Sequence, residues 1–422
     1  MIKRVVFDNG LRLVTHPMQS RSSVALGFWF GVGGRYESDA IKGAAHFLEH
    51  AAFKGSCTYS GTEIKERIEG IGGALNAFTS EEHTCFYAKI PSQFFAETFD
   101  VLADMAFFPT LKTKDFSNEK AVILEEIKMY KDLPQHLVMD TLDEMLWPNH
   151  PLGKNIAGTL KSVAGLQPAV LKNFHREHYS GRNAVISVCG QIDPALVERI
   201  ASKKLGHVPA GVLAEYIKFS RPEARPVCQI RRKTTEQTHL ALGMLGYDDW
   251  HPDRYGLILL GIILGGNMSS RLFSELREKR GLAYSIGASA KCLLDTGAFI
   301  IRAGVDHQKV VPAVTLILKE IANIRKSGVS ANELRRAKDY VIGQSRITLE
   351  DTMEHMLWLG ESIVSKNQLK TLKQVVRDFE KVTLADTQRI AREILHPSRN
   401  HLAVVGPVDA AVDKALKELI TA

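Results

Sequence analysis

Apolar positions along the chain follow two periods. Short runs beginning at Ser23 (SVALGFWFGVG) and His239 (HLALGML) read as strands, and each is followed by a long stretch with helical spacing. Later runs beginning at His83 (HTCFYAKI) and Ala298 (AFIIRAGV) return to period-two alternation. One pattern occurs twice. SGRNAVISVCGQID from Ser180 and SRNHLAVVGPVD from Ser398 each give an Arg-Asn pair, a short apolar strand, a Gly and then an Asp, and each precedes a helix-like run, PALVERIASKKL from Pro194 or AAVDKALKELI from Ala410. Their Arg-Asn pairs stand 217 residues apart (399 minus 182), about half the chain of 422. The proline-bearing stretch 208–226 is placed between the copies as a linker. The expected architecture is α+β: two homologous domains, 1–207 and 227–422, each a mostly antiparallel sheet covered by helices.

Composition narrows the class. With 45% hydrophobic and 24% charged residues the chain is too apolar for disorder and large enough to build its core without staples. Five scattered cysteines, without a C-x-x-C pair, argue against a disulfide framework and for a reducing, cytoplasmic compartment. The apolar run 255–264 is too short to span a bilayer, and the start MIKRVVFDNGLRLV alternates like a strand, so neither a membrane span nor a signal peptide is expected. The net charge of +7 is spread among acids, and only Arg231, Arg232 and Lys233 cluster tightly. No nucleic-acid partner is expected from that pattern.

The sharpest chemical signal is GAAHFLEHAAFKG from Gly43, in which His46, Glu49 and His50 form H-x-x-E-H. On a helix, positions i and i+4 lie one above the other, so both imidazoles can reach one ion while Glu49 holds a water beside them. The alanines favour a helix and Gly55 supplies its end. An exposed helix that merely carries two histidines and an acid is the bland alternative. A zinc ion would need a third protein ligand. Downstream, NEKAVILEEIKMYKD from Asn118 reads as an amphipathic helix, with Glu119 and Glu126 seven apart on one face and Val122 and Ile123 between them. Glu126 is the expected third ligand and Glu119 the carboxylate that orients an imidazole. Glu125, about 100° round the helix, is the alternative.

With these residues in place the chain resembles the pitrilysin-like inverzincin peptidases, a family that includes insulin-degrading enzyme, the mitochondrial processing peptidases and bacterial relatives of about this length. The family pattern sets a ligand Glu some 75 residues after H-x-x-E-H; His50 to Glu126 is 76 positions, and Glu119 falls where a second Glu is expected. The likeness extends through NAFTSEEHTCFY from Asn76 to SSRLFSELREKRGLAYS from Ser269, where the family's paired Arg and Tyr correspond to Arg277 and Tyr284. It implies a zinc endopeptidase with one zinc per chain, Glu49 as base, and Arg277 and Tyr284 gripping the substrate carbonyl. It also implies a peptide or unfolded polypeptide as substrate, and a homodimeric chamber in which the Arg-Tyr pair of one copy serves the other's zinc. A homologous hetero-partner stays open, and a non-catalytic partner subunit is the alternative function. Asn76, Ala77, Phe78 and Thr79 read as an edge strand able to receive an extended peptide.

Other features are set aside. Gly31, Gly33 and Gly34 lack the last glycine of a dinucleotide fingerprint and suggest a bulge inside a strand. His175 and His178 have the wrong spacing for a shared helical face and read as a surface loop. His83, His136 and His355 lack ligand partners at useful spacing.

Overall fold

The computed structural model describes residues 2–223 and 225–421. Six strands, β1 (Lys3–Val6), β2 (Arg12–Pro17), β3 (Ser23–Phe30), β4 (Ala74–Thr79), β5 (Thr84–Pro91) and β6 (Ala184–Gly190), form one sheet in the order β1-β2-β6-β3-β5-β4. Five more, β7 (Val227–Arg232), β8 (Thr238–Leu245), β9 (Ala283–Cys292), β10 (Gly297–Val305) and β11 (His401–Gly406), form another in the order β7-β11-β8-β10-β9. The second order repeats the first without β1. Both sheets are antiparallel except for one pair at the same place in each, β2 with β6 and β7 with β11. The two repeated segments are β6 and β11, each introduced by a 3-10 turn that holds its Arg, Gly181–Asn183 in one and Pro397–Arg399 in the other. The fold is α+β with two similar halves.

The chain divides into two compact units. The first holds residues up to Ile127, Asn155–Ile217 and Arg346–Lys370; the second holds Lys128–Lys154, Lys218–Ser345 and the chain from Thr371 onward. Each unit therefore borrows a helix from the far half of the sequence. In the first, β3 is buried on both faces: Val24, Leu26, Phe28 and Phe30 join the main core, while Ala25 and Trp29 meet Met356, Leu359 and Ile363 of the helix Thr352–Lys366. Gly360 permits that close packing, since a Cβ there would stand 2.0 Å from Trp29 Nε1. In the second, Val138, Leu142 and Leu146 of the helix Pro134–Leu146 cover Ala241, Leu245, Ala298 and Ile300. Residues 209–223 carry neither helix nor strand.

Two expectations are corrected. Gly33 and Gly34 are not a bulge inside a strand, because β3 stops at Phe30 and the chain turns into a short 3-10 helix, Gly34–Tyr36. Gly33 is needed for close approach: a Cβ would sit 2.3 Å from the Ser80 carbonyl oxygen. His175 and His178 lie in the last turn of the helix Pro168–His178, not in a surface loop. Burial pushes the His175 imidazole down to about 4, and its Nε2 meets the Ala106 carbonyl at 3.3 Å. Phe174 and Leu171 anchor that helix in the core, a stripe that outweighs the polar look of its end.

Candidate metal centre

The helix Ala44–Ala52 carries the H-x-x-E-H residues. Its start is fixed by Gly43, at φ +98°, and by the buried Glu37, whose carboxylate accepts from the backbone N–H groups of Gly43 (3.0 Å) and Ala45 (2.7 Å). A carboxylate there suits the positive end of the helix, and Lys42 approaches it at 3.4 Å. Ala44, Ala45, Phe47, Leu48 and Ala51 are buried in the core, which leaves His46, Glu49 and His50 to a more open side.

The second carrier is the helix Thr113–Asp132. Phe116 stacks on Phe47 with ring centroids 4.7 Å apart, clamping the two helices together. Phe116, Glu119, Ile123 and Glu126 follow at spacings of three and four, so they form one stripe on this helix. Ile123 is buried on it, whereas Val122 is half exposed and lies off it. Glu125 is exposed. The structure thus brings Glu126 to the two imidazoles: one atom each from His46, His50 and Glu126 lie within 4.8 Å of one another, and this is the one such His, Cys, Asp or Glu group among the described residues. Glu126 stands 3.8 Å from His46 Nε2 and 3.5 Å from His50 Nε2.

Several details suit a divalent cation. Glu126 Oε2 is buried without a hydrogen-bond partner, the kind of orphaned acceptor that a cation satisfies. Burial, with a contribution from His50, pushes the His46 imidazole down to about 3, which keeps it neutral and able to offer a lone pair. His50 Nδ1 lies 3.3 Å from Glu119 Oε2, so the tautomer that donates there leaves Nε2 free to coordinate. Glu119 is itself held by Lys54 Nζ at 2.6 Å, one turn beyond His50. Two imidazoles and one carboxylate, with a fourth position left open, form a donor set that fits zinc.

Glu49 is largely buried, which raises its carboxyl above the usual range, while a 2.6 Å hydrogen bond from Thr79 Oγ1 opposes that shift. Thr79 ends β4, which is an edge of its sheet. Sequence reasoning gave Thr79 to substrate and missed this bond, as it missed Lys54; the i+4 spacing from His50 to Lys54 was the available signal. Along β4, Ala77 joins the core beneath the motif helix, whereas Phe78 packs edge-on to Trp29 at 5.6 Å, in the cluster covered by the borrowed helix. The Asn76 amide oxygen is occupied by the Ala77 N–H. His83 is buried between Trp29 and Phe78, His136 lies against Tyr130, and His355 meets His16.

Arg277 and Tyr284 are brought together in the second unit. Arg277 lies in a π-helical segment, Phe273–Glu278, with its guanidinium 5.6 Å from the Tyr284 ring centre. Register shifts between Gly304 and Val305, opposite Ser285 and Ala283, so Tyr284 is the extra residue of a bulge. Its side chain is 72% exposed. The helix that follows β8, Arg254–Gly261 (RYGLILLG), has no histidine or acid, so the second half does not repeat the ligand set.

Two family models match, one described as insulinase (peptidase family M16) over residues 12–160 and one as the peptidase M16 inactive domain over residues 165–341. The chain belongs to the M16 peptidase family. A Bacillus subtilis protein described as an uncharacterized zinc protease, YmxG, is 38% identical over 84% of this chain and 86% of its own length. A Streptomyces coelicolor protein with a similar description is 33% identical over 96% and 90%. Among solved structures, a protease from Helicobacter pylori matches with a TM-score of 0.91 at 22% identity, covering 96% of this chain and 99% of its own. A chain of complex III from Candida albicans matches at 0.85 and 17% identity, over 99% and 100% of the two chains. These two show a shared fold. No helix among the described residues is long and apolar enough to cross a membrane, and the five cysteines are free.

Proposed function

We propose that this M16 member is a zinc endopeptidase that cleaves peptides or unfolded segments, acting as a homodimer in a reducing, cytoplasmic compartment. The observation that carries the reading is the convergence of His46, His50 and Glu126 with Glu49 beside them. When bound by these three side chains, zinc supplies Lewis acidity and brings a water's pKa toward neutrality. Glu49 takes a proton from the attacking water and passes it to the leaving amine, a role suited to a carboxyl raised by burial and steadied by Thr79. Glu119 and Lys54 hold the His50 ring in the orientation that turns Nε2 toward Glu126. The edge strand β4 receives the substrate backbone and ends at Thr79, beside the base. Arg277 and Tyr284, from the second copy, donate to the carbonyl of the bond being cut; the exposure of Tyr284 supports a role outside its own unit.

The rival reading, a non-catalytic partner subunit, draws on the match of residues 165–341 to a domain described as inactive. The complete set His46, Glu49, His50 and Glu126 weighs against it. The test is metal content of the purified protein followed by cleavage of a quenched fluorescent peptide. We expect about one zinc per chain, loss of cleavage with a chelator and recovery on adding zinc. Metal-free protein that stays inactive after zinc is supplied would favour the partner-subunit reading.

A further inference from the structure

The second unit contains a cleft of about 650 Å³ that opens beside Tyr284. Its floor is one face of the second sheet. On that face Ala298 and Ile300 of β10 are covered by the helix Pro134–Leu146, but the next residue on the same face, Arg302, is exposed. The sequence shows the anomaly, an arginine in the middle of the apolar strand AFIIRAGV. Arg302 pairs in register with Gly287 on β9 and Ala241 on β8. The guanidinium passes over Gly287, where a Cβ would stand in ordinary contact, 3.8 Å from Arg302 Nε. Among the described residues Arg302 makes no ion pair and no hydrogen bond. The cleft adds donors at His239, Gln237, Gln135 and His136, and no carboxylate lines it. The first turn of Pro134–Leu146, the positive end of that helix, also borders it.

An unpaired guanidinium in a concave, acid-free pocket is arranged to receive a carboxylate, with which it forms two parallel hydrogen bonds. We infer that Arg302 is a specificity-determining residue that binds a carboxylate of the peptide substrate, either an Asp or Glu side chain or the free C-terminus. Tyr284 and the Arg302 row at Gly287 are three residues apart on β9, roughly 10 Å at strand spacing. An extended peptide lying along β9, the free edge of its sheet, therefore presents the carboxylate two to four residues from the bond held at Tyr284. The site rests on the peptidase reading for its meaning, but its binding is measurable without cleavage.

The experiment uses the full chain carrying Glu49→Gln, so that bound peptide stays intact, and a fluorescent peptide made in matched forms: internal Glu or Gln, and free-acid or amide C-terminus. We expect one acidic form to bind about tenfold or more tightly than its neutral twin, which also tells side chain from C-terminus. Adding Arg302→Gln brings that ratio close to one, and Arg302→Glu reverses it, favouring a Lys-bearing peptide over the Glu form. A reversal of preference cannot arise from misfolding. Equal binding of acidic and neutral forms to the Glu49→Gln protein, or an acidic preference that survives Arg302→Glu, overturns the inference. Cleavage by the wild-type chain is scored separately. Binding preference without cleavage of any peptide counts against the peptidase reading alone, and cleavage without preference against the Arg302 site alone.

Discussion

One step of helix register, about 100° of rotation, separates Glu126 from Glu125 and decides which carboxylate reaches the imidazoles. Glu126 faces His46 and His50, and Glu125 is exposed. Glu126→Gln is therefore expected to lower zinc affinity strongly, while Glu125→Gln has little effect, as read by competition with a chromophoric chelator. Glu119→Gln should fall between, at about 10- to 100-fold, because it releases His50 Nδ1 and unpairs Lys54 without removing a ligand. Zinc lost from the Glu125 variant and kept by the Glu126 variant would contradict the register. Much of this was legible in the sequence, since a seven-residue spacing returns almost to the same helix face. Val122 misled, because it is apolar but lies on the exposed side. The bond from Thr79 to Glu49 was not legible, because it joins a strand end to a helix thirty residues away.

At the scale of elements, the borrowed helices are what the sequence concealed. Met356, Leu359 and Ile363 announce an apolar stripe but not which sheet it covers, and its partners Val14, Ala25 and Trp29 lie more than three hundred residues earlier. The strands were easier, because each is a local pattern bounded by turns. Packing at Gly360 is tight: a Cβ would meet Trp29 Nε1 at 2.0 Å and Ser187 Oγ at 2.8 Å. Gly360→Ala should cost about 1–3 kcal/mol or more in denaturant unfolding, since the helix must lift away from the sheet. A cost near zero would mean that the helix is not seated as described. The same helix meets β2 through His16 Nδ1 and His355 Nε2, 3.1 Å apart. Burial, with the neighbouring His355, pushes His16 down to about 4, and burial also lowers His355. The unfolded chain then binds more protons below about pH 6.5, so stability is full above that value and falls as pH drops toward 4. His16→Gln should make the loss between pH 6.5 and 4 shallower than in the wild type, and an identical slope would remove the pair from the account.

For the whole molecule, the duplicated sheet order was visible as the Arg-Asn repeat, yet among the described residues only the first copy carries the His-His-Glu group and only the second carries Arg277 and Tyr284. If the pair serves a second copy, mixing the dead variants Glu49→Gln and Tyr284→Phe under subunit exchange makes half the dimers mixed, each with one intact site. About a quarter of wild-type activity should return; no return despite demonstrated exchange would place the pair with its own zinc. Beneath all of this stands the claim that Glu49 is the base beside a bound zinc and not one of its ligands. The most direct test measures zinc content and peptide cleavage on the same preparations of wild-type and Glu49→Gln protein. About one zinc per chain in both, with cleavage by the wild type alone, is the expected result. Loss of the metal from the Gln variant, or cleavage that persists in it, would contradict the role given to Glu49.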